Sequence, residues 1–168
     1  PMNKVVATST QFLSDSDLLA MTSYLKSLPG QTSPNTTTNS DKRSIARGET
    51  LYAVHCATCH LPTGKGDKDT GPSMIGNPIV EASDPSSLIN VILYGLELSQ
   101  IQLPIQRTAM DGYEHLLNDE EVAAIANYMR SSWGNTGDTV TIEQVLKQRH
   151  NYHHLSAEHN NTIKMPMS

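Results

Sequence analysis

The clearest helical pattern of hydrophobic positions lies at residues 118–133, which read NDEEVAAIANYMRSSW. Asn118 is a favoured N-cap residue, and Glu121 three positions later completes the sequence signature of a capping box. The apolar residues that follow recur every three or four positions, as one face of a helix requires. They are Val122, Ile125, Ala126 and Met129.

Three further stretches show helical spacing. Residues 13–28 (LSDSDLLAMTSYLKSL) begin near a Ser14 or Asp15 cap and end before a Pro-Gly pair. Residues 41–55 (DKRSIARGETLYAVH) place apolar side chains on one helical face. Residues 84–95 (DPSSLINVILYG) run from an Asp-Pro start to a terminal glycine. Together these patterns predict an all-α fold, in which the helix at residues 13–28 is an extra N-terminal helix ahead of the other three.

Composition and charge narrow the range of possible functions. The 168-residue chain carries a formal net charge of −5, which argues against a nucleic-acid partner because phosphate binding requires clustered cations. Aromatic residues make up 5% of the chain, so its side chains alone provide a modest core. No run of about 20 apolar residues occurs. We therefore expect membrane association only through parts that lie outside this sequence.

The motif Cys-Ala-Thr-Cys-His at residues 56–60 points to a cofactor. The thiols of Cys56 and Cys59, about one helical turn apart, can add to the two vinyl groups of one porphyrin. His60 can then supply the proximal nitrogen ligand to the iron. A Cys-x-x-Cys pair alone would leave a dithiol, a zinc site or a disulfide open, and the histidine decides between them. The sequence predicts one covalent haem c, whose buried surface would add to the modest core.

Covalent haem attachment also predicts the compartment, because in bacteria it is expected outside the cytoplasmic membrane. The predicted localisation is the periplasm. The first ten residues, PMNKVVATST, lack the charged and apolar regions of a signal peptide. For an exported haem protein, we expect either that the leader has been removed or that the chain is part of a longer protein.

A sixth iron ligand is expected to be methionine, since a soft thioether favours the ferrous state in electron carriers. Met110 precedes the helix at residues 118–133 and is far enough from His60 for the chain to wrap round the haem. Met74 is close to His60 in sequence and is expected to line the haem wall. Met110 is therefore the predicted sixth ligand, with Met74 and His115 as alternatives.

These segments carry a family resemblance. CATCH, GPSMIGNPIV, DPSSLINVILYG, a loop methionine and LNDEEVAAIANYMRSSWGN together resemble a class I cytochrome c domain. More narrowly, the chain is similar to the third haem domain of triheme cytochrome c subunits of membrane-bound bacterial alcohol, gluconate and sorbitol dehydrogenases. The resemblance implies an electron-transfer domain rather than an enzyme. Its implied partners are a dehydrogenase catalytic subunit or another redox protein, with electrons passing toward ubiquinone or a terminal acceptor.

An internal repeat bears on domain organisation. The helix at residues 13–28 matches residues 117–132 in its acid after the cap, its tyrosine and the basic residue that follows. Met2 precedes the first copy much as Met110 precedes the second. The resemblance implies that Met2 was the axial ligand of a preceding haem domain. The predicted parts are a remnant of that domain at 1–30, a linker at 31–40 (QTSPNTTTNS), a haem domain at 41–135 and a polar tail at 136–168.

Further roles are implied by the resemblance. Pro72 matches the proline whose carbonyl accepts a hydrogen bond from the proximal histidine. Gly48 and Tyr128 match the positions at which the first and last helices cross. Asp111 departs from the pattern, because the family usually has proline directly after the axial methionine. We expect this departure to loosen the ligand loop.

Alternative functions remain open at this stage. Asp111 is the only support for a peroxidase or ligand-binding haem with a labile sixth position. An assembly module whose N-terminal helix docks on another chain, as in a domain-swapped dimer, is a second alternative. A dithiol oxidoreductase is the weakest, because a βαβ context is absent. In the tail, His150, His153 and His154 lie near enough on one helical face to hold a metal, although a solvated tail is the favoured interpretation.

Overall fold

The computed structural model describes residues 5–6, 8–29, 41–96 and 109–163, with side chains up to residue 154. The predicted linker and Met2 lie outside these residues. Within them, seven α-helices and a short 3-10 turn form the regular structure, and no strand occurs, so the predicted all-α fold is confirmed. The helices are α1 (Asp15–Ser27), α2 (Lys42–His55), α3 (Ala57–His60), α4 (Pro78–Glu81), α5 (Ser86–Tyr94), α6 (Asp119–Ser131) and α7 (Ile142–Ile163).

Helices α1 and α6 start at the capping residues that the sequence indicates. At α6, the Asn118 side chain accepts from the Glu121 backbone N–H, and the Glu121 carboxylate accepts from the Asn118 backbone N–H, both at 3.0 Å. This reciprocal capping box satisfies two backbone donors that have no partner inside the helix. At α1, Ser14 accepts from the Asp17 backbone N–H at 3.3 Å.

Helices α2 and α6 cross closely at a glycine. A Cβ atom at Gly48 would lie 2.0 Å from the Ala124 carbonyl oxygen and 2.9 Å from Tyr128 Cβ. Beside the crossing, the rings of Tyr52, Tyr128 and Trp133 form a cluster with centroid separations of 5.1 to 5.4 Å. The missing side chain at Gly48 therefore allows α2, which leads into the cysteine motif, to pack closely against α6, which follows the Met110 loop.

The buried core lies between α2, α5, α6 and the start of α7. Helix α6 contributes the whole apolar stripe predicted from its sequence, and α5 contributes four buried aliphatic residues. Val80 of α4 closes one side. The buried members from α5 and α6 are Leu88, Ile89, Ile92, Leu93, Val122, Ile125, Ala126 and Met129.

Helix α7 packs on the core, although its polar composition predicts a solvated tail. Val145 is fully buried, and Val140 just before the helix is 2% exposed. The buried Asn127 side chain donates to the Val140 carbonyl oxygen at 3.0 Å and accepts from the Val140 backbone N–H at 2.6 Å. The segment predicted as a polar tail thus contains a helix that packs against the core. Two buried valines and the paired hydrogen bonds with Asn127 hold it there.

Helix α1 contrasts with its sequence counterpart α6, since it contains no buried residue. Its apolar side chains are exposed, with 67% of Leu19 and 62% of Leu25 accessible to solvent. None of the helices in the described part of the chain combines the length and apolar character that a bilayer crossing requires.

Candidate haem site

The cysteine motif forms a tight corner between two helices. Cys56 lies between α2 and α3, as the C-cap of the first and the N-cap of the second. Its carbonyl oxygen accepts from the backbone N–H groups of Cys59 at 3.2 Å and His60 at 2.9 Å. This single turn brings the two cysteines to adjacent positions on one helical corner. Neither cysteine forms a disulfide; Cys56 is half-buried and Cys59 is exposed. Both sulfurs are therefore available for thioether bonds.

The state of the Cys56 thiol does not suit dithiol redox chemistry. Burial, and then the neighbouring Cys59 thiol, raise the pKa of Cys56 to about 12. A dithiol oxidoreductase requires the opposite change, because its attacking cysteine must be a thiolate near neutral pH. The environment of Cys56 therefore favours a structural role for the sulfur.

His60 is buried, with 8% of its surface accessible, and one ring nitrogen is already engaged. Its Nδ1 lies 2.9 Å from the Pro72 carbonyl oxygen. Because a carbonyl oxygen can only accept, Nδ1 donates, and the lone pair is on Nε2. A Cβ at Gly71 would lie 2.9 Å from His60 Nδ1, so glycine lets the backbone approach the ring. The predicted contact between Pro72 and His60 is present.

The backbone at Met74 is held by a buried amide, Asn135, that was not predicted from the sequence. Asn135, which is 5% exposed, donates from Nδ2 to the carbonyl oxygens of Met74 at 2.9 Å and Met129 at 2.8 Å. Its Oδ1 accepts from the Gly76 backbone N–H at 2.8 Å. Met74 itself belongs to the buried core cluster. No local sequence pattern distinguishes Asn135 from an ordinary turn residue.

Met110 is half-buried and lies in a loop that is pinned to the end of α5. Its carbonyl oxygen accepts from the Leu96 N–H at 2.9 Å, and its N–H donates to the Leu96 carbonyl oxygen at 3.3 Å. Gly95 has φ +70°, and a Cβ there would lie 2.1 Å from the Met110 carbonyl oxygen. This approach requires glycine, both for its backbone conformation and for the space.

Tyr113 connects the Met110 loop to the cysteine motif. Its hydroxyl donates to the His55 carbonyl oxygen at 2.7 Å, and its ring packs edge-on against the His55 ring at 5.6 Å. Burial, followed by the Cys56 and Cys59 thiols, raises the pKa of Tyr113. Since His55 directly precedes Cys56, this contact brings the Met110 loop beside the motif. Tyr113 was not predicted as a site residue, because its only signal in the sequence is an aromatic residue three positions after Met110.

Comparison with known proteins decides the family. The Cytochrome c family model matches residues 45–133, which is more than half of the chain. The chain belongs to the cytochrome c family. The matched region begins in α2, contains the cysteine motif and the Met110 loop, and ends just after α6.

Three curated relatives align with most of this cytochrome c chain. The cytochrome c subunit of an alcohol dehydrogenase (quinone) from Gluconobacter oxydans (strain 621H) is 38% identical over 158 aligned positions; the alignment covers 88% of this chain and 33% of the relative. A fructose dehydrogenase cytochrome subunit from Gluconobacter japonicus is 33% identical over 174 aligned positions, gaps included, with 89% of this chain and 36% of the relative covered. A gluconate 2-dehydrogenase cytochrome c subunit from Pantoea cypripedii is 33% identical over 160 aligned positions, with 88% of this chain and 36% of the relative covered. The chain thus spans about a third of the length of these relatives.

The predicted family resemblance, fold and cofactor are confirmed by these matches. The domain binds one covalent haem c at Cys56 and Cys59 and functions in electron transfer. The comparisons give no support to the peroxidase, ligand-binding or assembly alternatives. The geometry of the cytochrome c site also fits the cofactor, because two unbridged thiols lie beside a buried histidine with a coordinating nitrogen.

Other candidate ligands are placed less suitably. The His115 side chain is 93% exposed and lies 3.8 Å from Glu114, so it faces solvent. His150, His153 and His154 are also exposed. Among the described residues, no group of three or more His, Cys, Asp or Glu side chains is arranged to hold a metal ion.

Proposed function

We propose that this cytochrome c domain passes single electrons within a dehydrogenase complex, and that His60 and Met110 would be the two side chains that ligate the haem iron. The observation that carries the ligand assignment is the hydrogen bond from Tyr113, three residues after Met110, to the carbonyl oxygen of His55. Haem c, when bound, supplies the one-electron ferric and ferrous couple. The protein contributes the side chains that hold the two ligands in position and shield the site from solvent.

On the proximal side, Pro72 orients and tunes His60. The Pro72 carbonyl accepts from Nδ1 at 2.9 Å, which fixes the ring and makes Nε2 a better electron donor. Gly71 permits this approach, and the Asp67 and Gly71 backbones are joined by two hydrogen bonds. The coordinating nitrogen therefore needs no large rearrangement when the oxidation state changes.

On the distal side, backbone hydrogen bonds replace the restraint that proline supplies elsewhere in the family. Asp111 follows Met110, but the loop is held on both flanks by the Leu96 bridge and by Tyr113. The Tyr113 N–H also donates to the Ile92 carbonyl oxygen at 3.0 Å. These contacts support a stable thioether ligand, which favours the ferrous state.

The names of the relatives support a partner. They are cytochrome subunits of alcohol (quinone), fructose and gluconate dehydrogenases. By analogy, we propose a dehydrogenase catalytic subunit as electron donor, and ubiquinone or a terminal acceptor downstream. Cys59 is exposed, so the thioether side of the site is accessible to a redox partner. We propose a periplasmic location, peripheral to the cytoplasmic membrane.

Helix α1 supports a proposal about domain organisation. It shares with α6 an acid after the cap, a tyrosine and the basic residue that follows, yet its apolar face is exposed. We propose that residues 1–30 are the remnant of a preceding haem domain, in which α1 packs as α6 packs here. Deleting residues 5–29 should then leave the haem spectrum and thermal stability unchanged. A lower stability would contradict this, and a dimer lost on deletion would indicate domain swapping instead.

Ligand binding separates electron transfer from a haem with an open sixth position. The ferrous holo-protein should bind carbon monoxide slowly and weakly, because the methionine must first leave the iron. It should also transfer one electron per haem to a soluble ubiquinone analogue in a stopped-flow experiment. Fast, tight carbon monoxide binding to the native protein would contradict the proposed ligation, and failure to oxidise would contradict the proposed acceptor.

A further inference from the structure

The turn that follows Met110 is fastened by one side chain from α7. Arg149 donates from Nη1 to the Glu114 carbonyl oxygen at 2.7 Å and from Nη2 to the Leu117 carbonyl oxygen at 2.6 Å. Its Nε donates to Asp119 Oδ1 at 2.5 Å. A single guanidinium therefore joins the end of the Met110 loop to the first residue of α6.

The chemistry of arginine suits this junction. Its rigid fork of donors can serve two carbonyl oxygens and a carboxylate at once, which a lysine ammonium cannot match in geometry. The Arg149 side chain is only 19% exposed and that of Asp119 only 22%. Hydrogen bonds from a charged group withdrawn from water are stronger than those at an open surface. Removing Arg149 would leave three acceptors without this donor.

Helix α7 is fixed well enough to hold the arginine in place. Val145 is fully buried, Gln148 Oε1 accepts from Asn90 Nδ2 at 3.1 Å, and the Tyr152 ring stacks on Tyr94 at 3.6 Å. These side chains share one helical face with the arginine, because they are spaced by three or four residues. The face consists of Val145, Gln148, Arg149 and Tyr152.

We propose that α7 clamps the sixth-ligand loop and that Arg149 is its positioning residue. This inference rests on the proposed ligation by Met110. Arg149 fixes the Glu114 to Leu117 end of the turn. Tyr113, at the other end, donates to the carbonyl oxygen of His55, the residue directly before the cysteine motif. With both ends held, the loop cannot swing away as a unit. Without Arg149, the methionine leaves the iron more often.

Cyanide binding to the ferric holo-protein measures how often the sixth position opens. Replacing Arg149 with methionine keeps an aliphatic stem but removes all three hydrogen bonds. We expect cyanide to associate about tenfold faster with this variant, as the loss of a charged hydrogen-bond cluster predicts. Arg149→Lys should fall between the variant and the native protein, because it keeps the charge without the fork. The mass of the covalent haem should not change.

Two controls separate the clamp from general effects. Arg47 pairs with Glu120 at 2.9 Å and Glu121 at 3.1 Å near the same end of α6, but its side chain is 42% exposed. Arg47→Met should therefore bind cyanide at the native rate. Val80 is buried in α4, which contains none of the three hydrogen-bond partners of Arg149, so Val80→Ala should lower the midpoint of urea unfolding without changing the cyanide rate.

The possible outcomes distinguish failure of the Arg149 clamp from failure of the proposed ligation by Met110, on which the clamp rests. Ferric haem with a methionine ligand has a weak far-red charge-transfer absorption band, here called the far-red methionine band. A native cyanide rate for Arg149→Met in a protein that shows this band would overturn the clamp alone. The clamp is also overturned if Val80→Ala accelerates cyanide binding as much as Arg149→Met does. Absence of the far-red band from the native ferric protein would instead reject ligation by Met110.

Discussion

His60 and Met110 are held by different kinds of contact on the two sides of the proposed haem site. His60 lies within a five-residue motif, and its ring is fixed by a loop only 12 residues further along the chain. Met110 lies in a loop held by Leu96, by the end of α2 through Tyr113 and by α7 through Arg149. One side is built locally, whereas the other depends on three separate elements.

This difference predicts how each side fails. A local motif keeps its geometry as long as its own turn forms. A substitution on this side therefore has a large effect only if it removes a group that binds the haem. A ligand loop held by distant elements can open when any one of them loosens, while the cofactor stays attached. Changes on the proximal side should therefore remove the haem, and changes on the distal side should open its sixth position.

The largest effect is expected from removing both thiols. Cys56→Ser combined with Cys59→Ser eliminates the atoms that form thioether bonds, so haem should be absent from the denatured chain. Intact mass spectrometry measures this directly. Thr58→Ser, in the same motif, is the control and should retain the full haem mass. Covalent haem in the double variant would show that attachment occurs elsewhere.

The crossing of α2 and α6 connects the two sides, so its disruption should affect both. A Cβ at Gly48 would lie 2.0 Å from the Ala124 carbonyl oxygen, which cannot move without shifting α6. We expect Gly48→Ala to lower the free energy of unfolding by about 3 kcal/mol, measured by urea denaturation. Ala53→Ser, on the exposed face of α2, should change it by less than about 0.5 kcal/mol. Equal stability of the two variants would contradict the close crossing.

A smaller, distal effect is expected at Tyr113. Tyr113→Phe removes the hydrogen bond to the His55 carbonyl oxygen and should weaken the loop by about 1 kcal/mol. The far-red methionine band should then be lost at a lower urea concentration than in the native protein, with the haem still attached. Tyr24→Phe, in the exposed part of α1, serves as the control. An unchanged midpoint for Tyr113→Phe would mean that this bond does not restrain Met110.

The smallest effect concerns pH. The Asn118 backbone N–H, and then Arg47, hold the pKa of Glu121 below its usual value. A lowered folded-state pKa stabilises the protein above the unfolded pKa of about 4.3, and the contribution is lost as pH falls through the folded value. Glu121→Gln keeps the cap but not the charge. It should cost about 0.5 kcal/mol at neutral pH, with the difference shrinking below about pH 4. A difference that grows in acid would contradict the shift.

Local patterns in the sequence predict the proximal side well. The cysteine motif, the helix caps and the contact between Pro72 and His60 all arise within short stretches of chain. Burial is not predictable in the same way. Helices α1 and α6 share one amphipathic pattern, but α1 contains no buried residue, whereas α6 packs on α2 where Gly48 permits a close approach. The pattern of a helix does not state which surface will cover its apolar face.

Long-range hydrogen bonds from polar side chains have no local signature. Arg130 is 1% exposed and donates to the carbonyl oxygens of Val80 at 2.6 Å, Ala82 at 2.8 Å and Asp138 at 2.6 Å. Its burial lowers the pKa of the guanidinium. Arg149 works in the same way, since its partners lie about 30 residues earlier. In sequence, both resemble ordinary surface arginines, which is why the docking of α7 could not be predicted.

The far-red absorption band of the ferric holo-protein tests ligation by Met110 most directly. The native protein and Met74→Leu should both show the band, because we propose Met110 as the iron ligand and Met74 as a member of the buried core cluster. Met110→Ala should lose it while keeping the full covalent haem mass. Persistence of the band in Met110→Ala, or its loss in Met74→Leu, would contradict the proposed ligand pair.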